Sequence, residues 1–259
     1  MSNTALVTGA SSGIGRELAR YHAAKGGDLI LTARRTPELT ALKSELEAAH
    51  GITVTTIPLD LGTAEGPAGL YDAVRSAGLR VDILINNAGF GGHGVHIERD
   101  LDAEMAMIDL NVKSLVALTH MFAKDMVAQG GGKILNVGST AGFMPGPKQA
   151  IYFATKAFVN SFSQAIDEEL RAKGVTSTVL APGGVETEFM DAANLSDTKI
   201  GKQKMASAAS VAKIGYDAML AGDLIAINES RLKFIINWIA PLMPRRQMLK
   251  QIAAAQSKA

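Results

Sequence analysis

Ala5-Leu6-Val7-Thr8-Gly9-Ala10-Ser11-Ser12-Gly13-Ile14-Gly15-Arg16 is the stretch of sequence that decides the fold. A short apolar strand runs into a glycine turn, and the turn opens a helix that begins near Ile14. Glycine at positions 9 and 13 lets the backbone turn tightly and approach a ligand without an intervening Cβ. Because a helix N-terminus presents free N–H groups and a positive dipole end, the stretch predicts a phosphate-binding turn for a dinucleotide. Taken alone, it is also compatible with an ordinary tight connection.

Composition limits the class of protein. The chain has 259 residues, 47% of them hydrophobic, which is enough for one large α/β domain. Lys and Arg total 26 against 25 Asp and Glu, so the overall charge gives no reason to expect a nucleic acid partner. Cysteine is absent, which excludes a disulfide framework, a thiolate metal site and a cysteine nucleophile. With a core strand starting near residue 4 and no long apolar run, we expect a cytoplasmic protein without a signal peptide or membrane span.

Apolar strand patterns alternate with amphipathic helix patterns along the chain. After the first strand, further strands are expected at 28–33, 53–59, 81–85, 133–137, 175–180 and 224–227, and helices at 13–25, 37–49, 65–78, 102–128 and 151–173. Such alternation predicts an α/β fold of Rossmann type: a doubly wound parallel sheet of about seven strands, with helices on both faces. We expect a single domain, with the nucleotide-binding and catalytic part in 1–230 and an apolar, basic extension in 231–259.

Two arginines follow the second predicted strand, at its carboxyl end. In a dinucleotide fold an acidic residue there would hold the adenosine ribose hydroxyls, but Ala33 leaves that place without a carboxylate. A guanidinium at Arg34, with or without Arg35, suits a 2′-phosphate through charge-assisted bonds. The expected cofactor is therefore NADP(H), and the alternative is that both arginines are solvated loop charges.

A tyrosine and a lysine lie four residues apart near the start of the last predicted long helix. Tyr152 and Lys156 therefore project from one helix face, where an ammonium would stabilise a phenolate and lower its pKa. Ser139, at the end of the preceding strand, can approach the same point and bond a carbonyl or alcohol oxygen. The alternative is a purely structural pair, since such spacing is common on amphipathic helices.

Further motifs accompany these residues in a fixed order. The full set is Thr8-Gly9-x-x-x-Gly13-Ile14-Gly15, Asp60, Asn86-Asn87-Ala88-Gly89, Asn111, Ser139, Tyr152-x-x-x-Lys156, and Pro182-Gly183 followed by Thr187. Over roughly residues 4 to 190, this series resembles the short-chain dehydrogenase/reductase family. The resemblance implies hydride transfer between a nicotinamide ring and a carbonyl/alcohol pair.

The resemblance also implies roles for the catalytic residues. Tyr152 would act as acid in reduction and base in oxidation, while Ser139 would orient and polarise the substrate oxygen. Lys156 would lower the Tyr152 pKa and bind the nicotinamide ribose, and Asn111 would help hold a water that relays protons from Lys156. Asp60 would contact the adenine.

The cofactor-binding residues implied in the same way extend along the strand ends, with Thr187 on the carboxamide. They are Gly9, Ser11, Ser12, Gly13, Ile14, Gly15, Arg34, Asp60, Leu61, Asn87, Ala88, Gly89, Tyr152, Lys156, Pro182, Gly183, Val185 and Thr187. One departure from the family concerns Ser12, because many NADP-preferring members carry a basic residue there. Recognition of a 2′-phosphate would then depend on Arg34, alone or with Arg35.

The predicted substrate region follows the Pro182-Gly183 turn. Residues 186–210 have little strand character and occupy the place of a substrate lid. An apolar pocket is expected from Phe90, Phe143, Met144, Phe189 and Met190. His93 and His96 lie in a glycine-rich loop and are read as solvated residues, because no metal-binding spacing surrounds them.

The C-terminal extension is the second departure from many relatives, which end in a strand and a glycine-rich tail. Here a tryptophan-bearing apolar segment is bordered by basic residues over 231–250. It could cover the substrate pocket or form a subunit contact, and a peripheral membrane contact is the third reading. Helices 102–128 and 151–173 resemble those through which relatives form dimers and tetramers, so a homodimer or homotetramer is expected.

These observations favour an NADP(H)-dependent carbonyl reductase or alcohol dehydrogenase for a small or medium apolar ketone, aldehyde or secondary alcohol. Two alternatives remain from the sequence. One is a 3-ketoacyl reductase acting on substrates of an acyl-carrier protein, which the C-terminal extension disfavours. The other is a non-catalytic NADP(H)-binding regulator, which would not need the Ser139, Tyr152 and Lys156 set.

Overall fold

A computed structural model describes residues 3–258. Its strands are β1 (Ala5–Thr8), β2 (Leu29–Ala33), β3 (Val54–Pro58), β4 (Ile83–Asn86), β5 (Gly132–Val137), β6 (Val175–Leu180), β7 (Val185–Glu186), β8 (Ala206–Ser207) and β9 (Ile225–Ala226). Seven of them form one parallel sheet in the order β3-β2-β1-β4-β5-β6-β9. The chain order reverses direction between β1 and β4, so a crevice opens at the carboxyl ends of these two strands.

Helices cover both faces of this sheet. They are α1 (Gly13–Ala23), α2 (Thr36–His50), α3 (Gly66–Ser76), α4 (Leu101–Ile108), α5 (Leu115–Ala128), α6 (Ala150–Arg171), α7 (Phe189–Ala192), α8 (Ala208–Ala221), α9 (Ser230–Phe234) and α10 (Arg245–Ala255). One core joins α1, α2 and α8 to the sheet, and a second joins α3 and α5 to the opposite face. In β1, Val7 belongs to the first core and Leu6 to the second, as the alternation of strand side chains requires. The predicted doubly wound α/β fold is confirmed.

The helix predicted for 102–128 is distorted in its middle. The chain stays helical from Leu101 to Ala128, but Asp109–Ser114 forms a π-helical segment between α4 and α5. Asn111 lies in this wider turn and is buried, and its side-chain amide bonds the backbone of a loop outside the helix. A side chain held by such outside contacts is a common reason for a single wide turn inside an α-helix.

The segment predicted as a substrate lid is held at both ends by strand pairing. β7 and β8 form a two-stranded parallel ladder that pairs Val185 with Ala206 and Glu186 with Ser207. The short helix α7 lies between them. Within 186–210 only Glu186, Ala206 and Ser207 lie in strands, so the expectation of little strand character is confirmed.

The C-terminal segment folds back over the body of the protein. α9 continues into a π-helical turn at Ile235–Ile239 and a 3₁₀ turn at Ala240–Leu242 before α10. The end of the chain then pairs with the middle of the lid, where Lys199 N–H donates to the Ser257 carbonyl (3.1 Å) and Ile200 N–H to the Ala255 carbonyl (3.2 Å). Within residues 3–258, no helix has the length and apolar character needed to cross a bilayer.

Candidate active site

A cavity of about 970 Å³ lies at the carboxyl edge of the sheet and extends from the glycine turn to the C-terminal segment. The predicted residues that line it are Gly9, Ser11, Ser12, Gly13, Ile14, Arg34, Asp60, Leu61, Asn87, Ala88, Gly89, Ser139, Tyr152, Lys156, Pro182, Gly183, Val185 and Thr187. The structure thus brings together strand ends that are far apart in sequence, as the parallel topology requires. Gly15 and Asn111 are not part of the lining.

The glycine turn is shaped for close approach of the backbone. Gly9 (φ 65°) and Gly13 (φ 52°) both have left-handed backbone conformations, which disfavour any other residue. Gly15 serves helix packing rather than a ligand, because a Cβ there would lie 2.3 Å from Asn87 Nδ2 and 2.5 Å from the Gly9 carbonyl oxygen. The predicted cofactor contact of Gly15 is therefore replaced by a contact between helix α1 and the loop after β4.

That loop is tied to the glycine turn by a small hydrogen-bond network. Thr8 Oγ1 accepts from the backbone N–H groups of Asn87 (2.9 Å) and Ala88 (3.0 Å). Asn87 Nδ2 donates to the carbonyls of Thr8 (2.9 Å) and Gly9 (3.1 Å). These bonds fix the two sides of the crevice against each other.

The N-terminus of α1 has the chemistry of an anion site. Ser12 is the N-cap residue, but its side chain makes no capping hydrogen bond to the first turn. Ser12, Gly13 and Ile14 all line the cavity, so the unsatisfied N–H groups of this turn lie at its wall. This end of the cavity fits the pyrophosphate of a dinucleotide.

Both predicted arginines lie at the same end of the cavity, but their partners differ. The Arg34 side chain is 75% exposed, and its Nη1 lies 3.9 Å from Asp60 Oδ2. Arg35 is more strongly held, because its Nη1 lies 3.0 Å from Glu188 Oε2 and its Nη2 donates to Ser11 Oγ (3.2 Å). Arg35 thus connects the glycine turn to the lid, while Arg34 keeps most of its donors free for a ligand.

Tyr152, Ser139 and Lys156 meet in the middle of the cavity. α6 presents Tyr152 and Lys156, and Ser139 follows β5, so one helix and one strand end position all three. Ser139 Oγ donates to the Pro182 carbonyl (3.5 Å), accepts from the Ala141 N–H (3.1 Å) and lies close enough to the Tyr152 phenol to lower its pKa. Lys156 Nζ donates to the Val137 carbonyl (2.7 Å) and lies 5.9 Å from the centre of the Tyr152 ring.

Desolvation shifts the pKa values of both Tyr152 and Lys156. Desolvation raises the pKa of Tyr152 to about 12, and the neighbouring Ser139 hydroxyl offsets part of that rise. Desolvation also lowers the pKa of Lys156 to about 8. The expected lowering of the Tyr152 pKa by Lys156 is therefore wrong for the protein's own side chains, because Nζ lies over the ring and is directed to the Val137 carbonyl rather than to the phenol oxygen.

Asn111 supports the site from behind the cavity wall. Its Oδ1 accepts from the Phe90 N–H (3.1 Å), and its Nδ2 donates to the Phe90 carbonyl (2.9 Å) and to Thr155 Oγ1 (3.2 Å). Thr155 in turn donates to the Tyr152 carbonyl (2.8 Å). The side-chain amide therefore connects the loop after β4 to the first turns of α6, and the water predicted from the sequence stays a prediction.

The substrate end of the cavity is largely apolar. Four of the five predicted pocket residues line it, namely Phe90, Met144, Phe189 and Met190, whereas Phe143 does not. Phe143 ends the 3₁₀ turn Thr140–Phe143 that follows Ser139, which directs it elsewhere. The Phe189 ring packs against Tyr152 with ring centres 5.4 Å apart. The lid helix α7 thus contacts Tyr152 directly.

Sequence reasoning missed the contribution of the chain end to this pocket. Gln149 and Gln256 are buried in its wall, and Gln149 Nε2 donates to Gln256 Oε1 (2.7 Å). Ile235 and Ile252 complete the wall from the C-terminal segment. Gln149 lies three residues before Tyr152, but no local pattern links position 149 to position 256.

The two loop histidines have structural partners. His93 Nε2 lies 2.7 Å from the Gln256 carbonyl oxygen, so the expectation of a solvated side chain is wrong for His93. His96 is half-exposed and lies 3.5 Å from a carboxylate oxygen of Glu104. Among residues 3–258, no group of three His, Asp or Glu side chains could hold a metal ion.

Comparison with known proteins gives a consistent result. Residues 3–198 match the family model described as short chain dehydrogenase. Sulfoacetaldehyde reductase 2 of Chromohalobacter salexigens is 40% identical over 194 residues, which cover 73% of this chain and 75% of that protein.

Solved structures match over nearly the whole chain. A short-chain dehydrogenase from Sphingobium yanoikuyae in complex with NADPH has a TM-score of 0.85 and 30% identity, covering 95% of this chain and 94% of the other. A short chain dehydrogenase/reductase from Burkholderia phymatum in complex with NAD has a TM-score of 0.81 and 25% identity, covering 93% of each chain.

Proposed function

Because this chain belongs to the short-chain dehydrogenase family and is an oxidoreductase with a nicotinamide cofactor, we propose that it transfers a hydride between NADP(H) and a carbonyl/secondary alcohol pair. The observation that carries the proposal is the meeting of Ser139, Tyr152 and Lys156 in the same cavity as the glycine turn. A protein that only bound the nucleotide would have no use for a phenol placed beside a serine and a buried lysine at this point.

The bound nicotinamide supplies the hydride in reduction and accepts it in oxidation. The protein's own residues handle the proton and the substrate oxygen. Ser139 Oγ orients the carbonyl oxygen beside the phenol, and Tyr152 gives its proton to that oxygen as the carbon is reduced. In oxidation the same proton returns from the alcohol to Tyr152. Lys156, with Nζ 5.9 Å from the centre of the Tyr152 ring, would keep a positive charge near the phenol and bond the nicotinamide ribose.

Preference for NADP(H) over NAD(H) is part of the proposal. Arg34 and Arg35 both line the cavity, and Arg35 bonds Ser11 of the glycine turn. Ala33, at the end of β2, offers no carboxylate that would select the ribose hydroxyls. Free guanidinium donors at Arg34 suit a 2′-phosphate, which accepts charge-assisted hydrogen bonds. Asp60 at 3.9 Å would exchange its weak ion pair with Arg34 for a position against the adenine.

For the substrate we propose a small or medium ketone, aldehyde or secondary alcohol with an apolar body. Phe90, Met144, Phe189 and Met190 supply the apolar surface around Tyr152. The pocket is closed at its far end by the C-terminal segment. This closure argues against a carrier-bound acyl chain, which would need an open entry path to the cavity.

A label-transfer experiment tests hydride chemistry directly. Reduced NADP carrying deuterium at both C4 positions of the nicotinamide is incubated with the protein and a panel of apolar ketones, and the products are analysed by mass spectrometry. We expect alcohols with one deuterium on the carbinol carbon. Alcohol formation without deuterium at that carbon, or no alcohol from any ketone or aldehyde tested with either cofactor, would contradict the proposal.

A further inference from the structure

The C-terminal segment exposes a concentrated apolar surface. Phe234, Trp238, Ile239 and Leu242, called here the C-terminal patch, are all exposed, with Trp238 at 67% and Leu242 at 85%. They are four of the twelve large hydrophobic residues exposed in the described chain, yet they fall within nine consecutive positions. Phe234 and Trp238 are four residues apart in a helical stretch and therefore share a face. A single exposed apolar residue needs no explanation, but a cluster of this kind does.

The charge around the patch has one sign. Residues 231–259 carry six Lys and Arg and no Asp or Glu, whereas the whole chain has 26 basic and 25 acidic residues. The first 230 residues therefore carry 20 basic against 25 acidic residues. None of the basic residues between 231 and 258 forms an ion pair with another described residue. The exposed ones close to the patch include Lys233, Arg245 and Arg246.

This charge argues against a second copy of the chain as the partner. A two-fold symmetric contact through the patch would place each cationic face against an identical cationic face. No carboxylate within 231–259 could compensate the repulsion. A nucleic acid would satisfy the basic side chains and stack a base on Trp238, but it would offer no environment for the aliphatic Ile239 and Leu242.

We propose that the C-terminal patch docks this protein onto an anionic lipid surface, with the apolar side chains in the interfacial region and the basic side chains at the headgroups. Tryptophan and aliphatic side chains bordered by Lys and Arg are the composition that interfacial helices use. The negative potential of an anionic leaflet complements the cationic segment. Because no described helix could cross a bilayer, the segment would lie on the surface.

The same segment separates the lipid surface from the cavity. Its inner side contributes Leu232 and Ile235 to the cavity wall and buries Ile236, while Trp238 and Leu242 face outward. Docking would therefore bring the substrate end of the cavity close to the bilayer. The docking proposal goes beyond hydride transfer and does not depend on it, so the two can fail separately.

Trp238 provides a direct readout, because it is the only tryptophan in the chain. The full-length protein is titrated with phosphatidylcholine vesicles and with vesicles that contain about one third phosphatidylserine. We expect a blue shift of tryptophan emission and co-sedimentation with the anionic vesicles only. Raising the salt concentration from about 0.05 M to about 0.5 M should weaken the co-sedimentation, since screening acts on the charged contribution.

Variants separate the apolar contribution to lipid binding from the electrostatic contribution. Arg245→Glu combined with Arg246→Glu should reduce partition into anionic vesicles by at least about tenfold, and Leu242→Ser should do so by roughly fivefold. Ile97→Ser is the matched apolar control, and Lys124→Glu combined with Lys173→Glu is the charge control, because these residues are exposed elsewhere on the surface. Thermal unfolding of each variant confirms that it is folded.

Three outcomes would overturn the proposal. The first is unchanged emission and no co-sedimentation with anionic vesicles. The second is equal loss of binding in the control variants. The third is an oligomer of the wild type that Leu242→Ser dissociates in the absence of lipid, which would assign the patch to a subunit contact.

Discussion

Lys156 is buried in the site and Tyr152 is half-buried, and desolvation shifts their pKa values in opposite directions. With a pKa of about 12, the phenol keeps its proton throughout the neutral range, which is the form needed to protonate a carbonyl oxygen. With a pKa of about 8, the lysine remains mostly charged at neutral pH but sits close to its transition. The protonated phenol is therefore the form in which Tyr152 would act as the acid of the proposed reduction.

The shifted Lys156 pKa predicts a specific effect of pH on stability. The pKa is 10.5 in the unfolded chain and about 8 in the folded protein, so between these values only the unfolded chain binds the proton. The free energy of unfolding must therefore increase as pH rises from about 8 to 10. We expect the wild type to gain about 2 kcal/mol over this range relative to Lys156→Met, measured by urea unfolding without cofactor.

The control for this measurement is the exposed Lys173→Met, which should follow the wild type. The raised pKa of Tyr152 acts only above pH 10, so it lies outside the window. Parallel pH curves for wild type and Lys156→Met would contradict a desolvated lysine at this position.

Arg34 is the residue to which we assign the proposed preference for NADP(H) over NAD(H). Arg34→Ala removes free guanidinium donors from the cavity edge, and a charge-assisted bond to a phosphate contributes about 1.5–3 kcal/mol. We expect KM for NADPH to rise about 10- to 100-fold while KM for NADH changes less than about threefold. Arg75→Ala, on the surface of α3, is the matched control. An equal loss for both cofactors would contradict recognition of the 2′-phosphate by Arg34.

The C-terminal segment contacts the site through a small set of hydrogen bonds around Gln256. Gln256 bonds Gln149 through its side chain and His93 through its carbonyl, and the residues beside it pair with the lid. In Gln256→Ala the Gln149 amide loses its partner inside a buried wall. We expect about 1–3 kcal/mol lower stability and a several-fold higher KM with a smaller change in kcat.

Gln251→Ala tests whether this effect is specific, because Gln251 is an exposed residue of the same helix α10. In steady-state kinetics and thermal unfolding, Gln251→Ala should behave like the wild type. If Gln256→Ala and Gln251→Ala behaved alike, the chain end would not be part of the pocket wall.

Local patterns were sufficient for most of the fold and for the centre of the site. Strand and helix periods predicted the sheet and its helices, and the i, i+4 spacing of Tyr152 and Lys156 placed both on one face of α6. Parallel topology then brings Ser139 to the same edge of the sheet. These features follow from interactions within a few residues or from a general rule of topology.

Features that depend on distant contacts could not be predicted in this way. The π-helical turn at Asp109–Ser114 arises because Asn111 bonds Phe90, and nothing in the apolar spacing of that helix signals it. The bond between Gln149 and Gln256 joins positions more than one hundred residues apart. The rise in the Tyr152 pKa results from the depth of burial, which depends on the lid and the surrounding walls.

The exposed apolar side chains of α4 and α6 bear on whether copies of this chain associate with one another. α4 and α6 expose large apolar side chains, including Leu101, Met105 and Phe158, and Phe158 stacks on Phe162 with ring centres 5.6 Å apart. We propose that these helices form the contact of a homodimer or homotetramer. Phe158→Asp should reduce the sedimentation coefficient to that of a smaller species, because a charge would be buried in the contact.

Leu220→Asp is the matched control, since Leu220 is an equally exposed apolar residue on α8. It should leave the sedimentation coefficient of the protein unchanged. A monomeric wild type, or dissociation by Leu220→Asp instead, would contradict an interface through α4 and α6.

The central claim for the molecule is that one cavity holds a nicotinamide cofactor at the glycine turn and delivers a proton from Tyr152 to the substrate oxygen. Tyr152→Phe tests it most directly, because the variant keeps the ring packed against Phe189 and removes only the hydroxyl. We expect kcat for reduction of a responsive ketone to fall about a thousandfold, while the Kd of NADPH changes less than about twofold. Turnover in Tyr152→Phe within about tenfold of the wild type would contradict the account.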